Sequence, residues 1–228
     1  MKTIGLILAR QGSKGLPNKH TKLLNGKPLI RYIIETAKNS SLDDIYVSSD
    51  SGEILRLCDD VNVIIRPAEL AQDDTPSIDV VKHALKQIGD TQYVALLNAC
   101  CPFTRAVDVD NCIKTAMETG CSVVSLVEDF SCHPSKVCVL EENNKIQAIT
   151  DYAYTAGFET YERQKLVKTY KRNAAIYLTK REVVESGTFF GRYPRGYVMP
   201  PERSIDIHTQ FDFDIAEFLM SRQCANSN

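Results

Sequence analysis

The chain has 228 residues and sets 27 Lys and Arg against 29 Asp and Glu, a formal charge of −2 with His neutral. That near-balance gives no global field for a polyanion, which argues against a nucleic-acid partner, while 43% apolar residues are too many for a disordered chain and enough for one sizeable core. The apolar runs fall far short of the roughly 18 residues of a membrane span, so no membrane role is expected.

In chain order, "TIGLILA" at 3–9 is a continuous apolar run, the pattern of a strand buried on both faces. It is too short for a signal peptide and ends at Arg10. Leu29, Ile30, Ile33, Ile34 and Ala37 then repeat at helical spacing. "DIYVSS" predicts a strand, Glu53 to Cys58 a short helix, and "VNVII" another strand. Val80, Val81, Ala84, Leu85 and Ile88 mark a second amphipathic helix, followed by strand "YVALLN", helix Val109 to Met117 and strand "SVVSLV". Repeated βα units imply an α/β fold with a mostly parallel sheet and helices on both faces, a three-layer α/β/α arrangement.

The rhythm breaks near Phe130. Residues 131–172 are polar and rich in tyrosine, with "KVCVL" and "KIQAI" around "EENN" as a hairpin. This stretch reads as an arm leaving the body of a single domain spanning 1–228, and aromatics at that density suit an interface, so a homodimer is expected. Order returns with strand "NAAIYLT", a helix near Arg181 to Ser186, strands "GYVM" and "RSIDI", and a terminal helix from about Asp214. Eight cysteines occur without a CxxC pair, and no second ligand pair joins the adjacent Cys132 and His133 in a zinc site. They read as reduced thiols of a cytoplasmic protein.

The most informative stretch is "ARQGSKGLPNKH" at 9–20, where the first strand hands over to the first helix. Arg10, Lys14, Lys19 and Lys22 crowd a turn that contains Gly12, Ser13 and Gly15. Turn glycines let backbone N–H groups approach phosphate oxygens, and ligands of open α/β sheets bind at the carboxyl ends of strands. The loop is neither a GxxxxGK[ST] phosphate loop nor a dinucleotide GxGxxG. A local cluster in a chain of balanced charge points to a small polyphosphate.

"LILARQGSKGLPNK" resembles the signature loop of the CMP-sialic acid synthetases, also called acylneuraminate cytidylyltransferases. "KLLNGKPLI", "VSSDS" at 47–51, "RPAELAQDDTPS" at 66–77, "NAAIY" at 173–177 and "ERSIDIHTQFDFDIAE" at 202–217 extend the likeness in order along the chain. The resemblance implies a sheet of nucleotide-diphospho-sugar transferase type with a dimerisation arm. It implies that CTP and a nine-carbon 2-keto sugar acid give a CMP-sugar and pyrophosphate, with Mg2+ assisting. In that scheme Arg10, Lys14 and Lys19 act on the triphosphate, with Gly12 and Ser13 in backbone contact. Arg66 and Ser77 match cytosine contacts; the plain alternative is an Arg-Pro loop start and a helix cap at Ser77.

Asn98 stands where the family has a sugar-contacting glutamine, in "LLNACCPFTR". Cys100 and Cys101 there read as packing, and the arginine comes one position late at Arg105. These departures leave another acidic acceptor open, a different 2-keto sugar acid or a phosphonate. Lys136 matches a lysine that reaches the sugar acid across a dimer interface, and Lys171 one position of a carboxylate-binding arginine, with Arg172 as the alternative. Asp206 matches the first carboxylate of the family's metal pair, and His208 replaces the second. Neutral imidazole suits Mn2+ better than Mg2+, so Mn2+ is the alternative metal. The altered pair also leaves open a nucleotide-binding module without catalysis. Asp50, at a strand end, reads as the closure of a turn.

Overall fold

The computed structural model describes residues 2–12, 14–129, 131, 133–140, 142–148 and 167–225. Eleven strands appear among them: β1 Thr3–Leu8, β2 Leu23–Leu24, β3 Lys27–Pro28, β4 Asp44–Ser49, β5 Asn62–Ile65, β6 Tyr93–Leu97, β7 Val123–Glu128, β8 Cys138–Leu140, β9 Ile146–Ala148, β10 Tyr170–Lys180 and β11 Arg195–Val198. The helices are α1 Leu29–Lys38, α2 Gly52–Arg56, α3 Ser77–Gln87, α4 Ala106–Thr119, α5 Arg181–Glu185 and α6 Gln210–Ala225.

Seven strands form one sheet in the order β11-β7-β10-β6-β1-β4-β5. Only β10 opposes the rest: it is antiparallel to β6 and β7, while the other pairings are parallel. The expected three layers are present. Ile30, Ile33 and Ile34 of α1, Ile54 of α2 and Val109, Cys112 and Ile113 of α4 pack one core. Val81, Ala84 and Leu85 of α3 and Val184 of α5 pack a second core with Ile4, Leu6 and Val94. Leu6 and Ile7 are adjacent on β1 and enter different cores, which is why the first strand is apolar continuously from Ile4 to Leu8 rather than at alternate positions.

This topology positions the site. From β1 the chain runs outward through β4 to β5, then returns through α3 to β6 on the other side of β1. A crevice forms outside the carboxyl ends of strands where strand order reverses in this way. Ala9–Arg10 after β1, Asp50 after β4, Arg66 after β5 and Asn98 after β6 all sit on that edge.

Three expectations are corrected. "RSIDI" pairs with no strand: Arg203 ends the 3-10 turn Pro201–Arg203, and the segment after it is tied to the body by Ile207 N–H donating to the Cys100 carbonyl at 3.0 Å. The alternation predicted there is real, but it serves a cleft wall instead of a ladder. The last helix begins at Gln210, four residues earlier than its acidic residues suggested, because Thr209 and Asp212 cap it reciprocally: Asp212 Oδ2 accepts from Thr209 N at 2.7 Å and Thr209 Oγ1 from Asp212 N at 3.3 Å. Ser77 makes no cap hydrogen bond; Pro76 occupies the N-cap position and Ser77 is the first helical residue.

The hairpin β2–β3, turned by Asn25-Gly26, was not anticipated, although Asn-Gly between apolar residues is its usual signal. It packs with α6 and the Ile207 segment in a third cluster of Leu16, Leu24, Leu29, Cys100, Phe103, Ile207, Phe213 and Ala216. The predicted hairpin in the arm exists as β8–β9. Tyr152, Tyr154, Phe158 and Tyr161 lie outside the described residues.

Candidate active site

A cleft of about 350 Å3 opens on the carboxyl edge of the sheet. Arg10, Lys19, Arg66, Ser77, Asn98, Asp206 and His208, scattered over two hundred positions of sequence, all line it. Seven of the twelve residues singled out for nucleotide, substrate or metal therefore meet in one place.

Each is held by local structure. Arg66 continues β5 and is buried, its Nη2 donating to the Ser48 carbonyl at 2.7 Å and its backbone N–H to Ser49 O at 2.8 Å. Burial pulls its guanidinium down to about 10, so it stays charged at neutral pH. Lys19 is also buried and donates from Nζ to the Ile207 carbonyl at 2.9 Å, which ties the opening loop to the closing segment. The Ser77 end of α3 lines the cleft, so the positive end of an eleven-residue helix borders it.

Gly12 turns the loop with φ of +76° and lies on its far side, against Asn18, Ser51 and Glu53. A Cβ on Gly15 would collide with the His208 carbonyl oxygen, so glycine there is what lets the loop lie against the closing segment. Ser13 lies outside the described residues.

Arg10 and Lys14 are arranged differently. Arg10 Nη2 pairs with Asp73 Oδ1 at 2.6 Å and Lys14 Nζ with Asp73 Oδ2 at 2.5 Å. Lys14 first and Arg10 second hold the Asp73 carboxyl below its ordinary value. Asp73 had no role in the sequence reading; its signal was an acid in "QDDTPS", a loop otherwise read as touching cytosine. Asp50 does not close its own turn, as had been expected; its Oδ1 accepts from Gln11 N at 2.9 Å and ties the end of β4 to the opening loop.

On the opposite wall, Asp206 Oδ2 lies 2.9 Å from His208 Nε2, and Asn98 Nδ2 donates to Asp206 Oδ1 at 3.4 Å. The two residues expected to share a face do meet. Burial pushes the Asp206 carboxyl up, against the pull of His208 and Lys19. Asn98 also accepts the Cys100 N–H at 3.0 Å and borders a neighbouring cavity of about 270 Å3 with Leu8, Ser77, Ala174 and Tyr177. Ala174 has φ of +58° at an irregularity in the β10–β7 pairing. Such a bulge re-aims the strand beside the cavity. Cys100 and Cys101 are buried with their thiols pushed up by burial, as packing residues would be.

Sequence reasoning also missed the anchors. Asp108 in α4 is fully buried and takes a bidentate pair from Arg203, at 3.0 Å from Nε and 2.9 Å from Nη2, plus the Tyr197 hydroxyl at 3.0 Å. That pair fixes the segment carrying Asp206. His20 is buried under the loop, with Nδ1 at 3.3 Å from the Arg10 carbonyl, and desolvation lowers its pKa to about 4.

Lys136 and Lys171 do not line the cleft, and neither does Lys14. Lys136 is exposed on the short helical turn Pro134–Lys136, and Lys171 pairs with Asp129 at 3.1 Å. Arg172 lies over the Phe190 ring at 5.3 Å, and Arg105 is exposed at the start of α4.

Comparison with known proteins fits this geometry. The family profile described as cytidylyltransferase matches residues 4–214. The chain belongs to the cytidylyltransferase family. It is 31% identical over 222 residues to the N-acylneuraminate cytidylyltransferase of Escherichia coli O18:K1:H7, covering 94% of this chain and 51% of that protein. It is 35% identical over 224 residues to the enzyme of that name from Streptococcus agalactiae serotype V, covering 93% and 52%. The chain thus spans about half the length of these curated relatives.

A solved structure of CMP:2-keto-3-deoxy-manno-octonic acid synthetase complexed with CTP superposes with a TM-score of 0.73 at 15% identity, over 98% of this chain and all of that one. It supports the fold of the family. The family resemblance read from the opening loop and the closing segment is confirmed. Among the described residues no helix is long and apolar enough to cross a membrane.

Proposed function

We propose that the chain transfers CMP from CTP to an acidic 2-keto sugar of the sialic-acid kind and releases pyrophosphate. The observation that carries this is one cleft of about 350 Å3 that Arg10, Lys19, Arg66, Asp206 and His208 all line. Cations and the α3 N-terminus on one wall suit a triphosphate, where catalysis consists of positioning and spreading charge. The cavity beside Asn98 offers the acceptor a place next to it.

The residues fit a divalent metal. Asp206 is a carboxylate facing the cleft beside an imidazole, and among the described residues no third acid, His or Cys gathers with them. That set suits Mg2+ held through Asp206, with phosphate oxygens and water as other ligands, and leaves Mn2+ as the softer option through His208. The metal would supply positive charge to the phosphate oxygens. Lys19 and Arg66 supply the rest from fixed positions, and Asn98 orients the Asp206 carboxylate. His208→Asp is expected to shift activity toward Mg2+ relative to Mn2+, as read by pyrophosphate release across a titration of each metal. An unchanged ratio would remove His208 from the metal site.

In this reading the enzyme is cytoplasmic and acts as a homodimer. Lys136 and Lys171 complete the partner's acceptor site through the arm at 131–172. A fully active monomer by sedimentation at micromolar concentration would remove that arrangement.

The deciding experiment is a pyrophosphate-release screen pairing CTP, ATP, GTP and UTP with sialic acids, other 2-keto sugar acids, phosphonates and neutral sugars. Release with CTP and a sialic acid is expected. Release only with another acid supports the same chemistry on a different acceptor, which the Asn98 departure favours. CTP binding without release from any acceptor leaves a nucleotide-binding module.

A further inference from the structure

The cations of the cleft divide into two kinds. Lys19 and Arg66 are buried and donate to the carbonyls of Ile207 and Ser48. Arg10 and Lys14 both close on one carboxylate, that of Asp73, which itself lines the cleft. Arg10 Nη1 also donates to the Ala71 carbonyl at 3.3 Å, so the loop 66–76 and the opening loop are joined across the mouth. An acid at that point is unexpected in a site for polyphosphate, because it lowers the positive potential there.

A second acid in the chain, Asp60, also bridges two cations, Arg31 and Lys38, but those residues line none of the site. Asp73 differs in that one partner, Arg10, faces the cleft. We propose that Asp73 is an internal competitor for phosphate: it holds Arg10 and Lys14 between turnovers, yields them to the triphosphate, and retakes them as pyrophosphate leaves.

The physical case has two parts. Lys14 is 78% and Asp73 40% exposed, so these pairs sit in high dielectric and exchange for another anion at little cost. The competitor also helps to separate substrate from product. CTP brings a base toward Arg66 and Ser77 as well as three phosphates, whereas pyrophosphate has only phosphates. A fixed penalty weakens both by the same factor, but contacts to the base keep CTP bound at concentrations where pyrophosphate leaves. Asp73 is a positioning residue in this account; it touches the cations and not the reacting atoms.

The inference rests on the CTP reading above, and calorimetric titration can separate the two. Pyrophosphate and CTP are titrated into the wild type, Asp73→Asn and Asp73→Glu at one salt concentration. Asp73→Asn is expected to bind pyrophosphate at least about fivefold more tightly, the scale of one exposed ion pair. Pyrophosphate should become a stronger product inhibitor by a similar factor, with kcat reduced and KM for CTP lowered. Asp73→Glu, which keeps the charge, should stay within about twofold of wild type. Unchanged or weaker pyrophosphate binding in Asp73→Asn overturns the proposal, whatever the variant's melting temperature. A wild type that binds neither CTP nor pyrophosphate overturns the nucleotide reading instead.

Discussion

The two walls of the cleft are fastened by different means. Arg10 and Lys14 are held by exposed ion pairs to Asp73, which solvent and salt can loosen. Asp206 is held by a segment whose anchor, Arg203 on Asp108, is a bidentate pair with its acid fully buried. Groups that must take and release a polyanion each cycle are on adjustable fastenings. The group that must keep one position relative to the reacting phosphate is on a fastening whose acid is shut away from water. This contrast predicts a graded set of responses to mutation.

The largest belongs to Asp206. Removing the one carboxylate on its wall that faces the proposed metal should lower kcat/KM by about a thousandfold, or ~4 kcal/mol of transition-state stabilisation. Pyrophosphate release by Asp206→Ala at limiting Mg2+ is the measurement, and wild-type rates there would break the comparison at its base. Next is the anchor. Arg203→Met leaves Asp108 buried with only the Tyr197 hydroxyl and the Arg105 N–H as partners. Stranding a buried charge typically costs about 3 kcal/mol, readable as a lower urea midpoint with an unchanged slope. Activity should fall too, because Ile205 to His208 lose their fixed start. An Arg203→Met protein of full stability would mean that the clustered apolar contacts of Ile207 and Phe213 hold that wall by themselves.

Much of this contrast was legible beforehand, though unevenly. The βα alternation was readable because Leu6, Ile7, Val94 and Leu97 sit between two helical layers and must be apolar on both faces. The nucleotide wall was readable because phosphate demands cations and glycine in one loop. The anchors were not. Asp108 stands just before the helix read from Val109, and Arg203 opens the stretch read as a strand, ninety-five positions away. Pairing between distant residues leaves no local periodicity. The closing segment misled for a related reason: alternation of Ile205 and Ile207 with Asp206 and His208 reports one dry and one wet face, which an unpaired cleft wall has as much as a strand does.

His20 sharpens the comparison from beneath the loop. Its folded-state pKa is about 4, below the ordinary 6.5, because burial disfavours the imidazolium and Lys19 repels it. The unfolded chain therefore binds a proton at a higher pH than the folded chain does. The full stability is present above about pH 6.5 and is lost as pH falls toward 4. Between pH 7 and pH 5 the loss is about 2 kcal/mol. The difference in unfolding free energy between wild type and His20→Asn should show that slope, and a flat difference would mean that the ring titrates in the fold as it does in the unfolded chain.

The smallest effect is expected at Lys14, although a charge-assisted bond to phosphate is typically worth about 1.5–3 kcal/mol. The structure argues for less. Lys14 is 78% exposed and already spends its charge on Asp73, so a phosphate replaces an existing partner and does not create a new one. Exposed exchanges of this kind are worth about 1 kcal/mol or less, or roughly a fivefold rise in KM for CTP in Lys14→Ala. Because both partners are in water, the effect should shrink as salt is raised from about 0.05 to 0.5 M, where the Debye length falls well below ~10 Å. Measuring KM for wild type and variant at both salts gives the answer. A loss of a hundredfold that persists at high salt would show Lys14 enclosed against the nucleotide in the complex. The opening loop would then be fastened like Asp206 rather than like Asp73, and the distinction between the two walls would hold only before substrate binds.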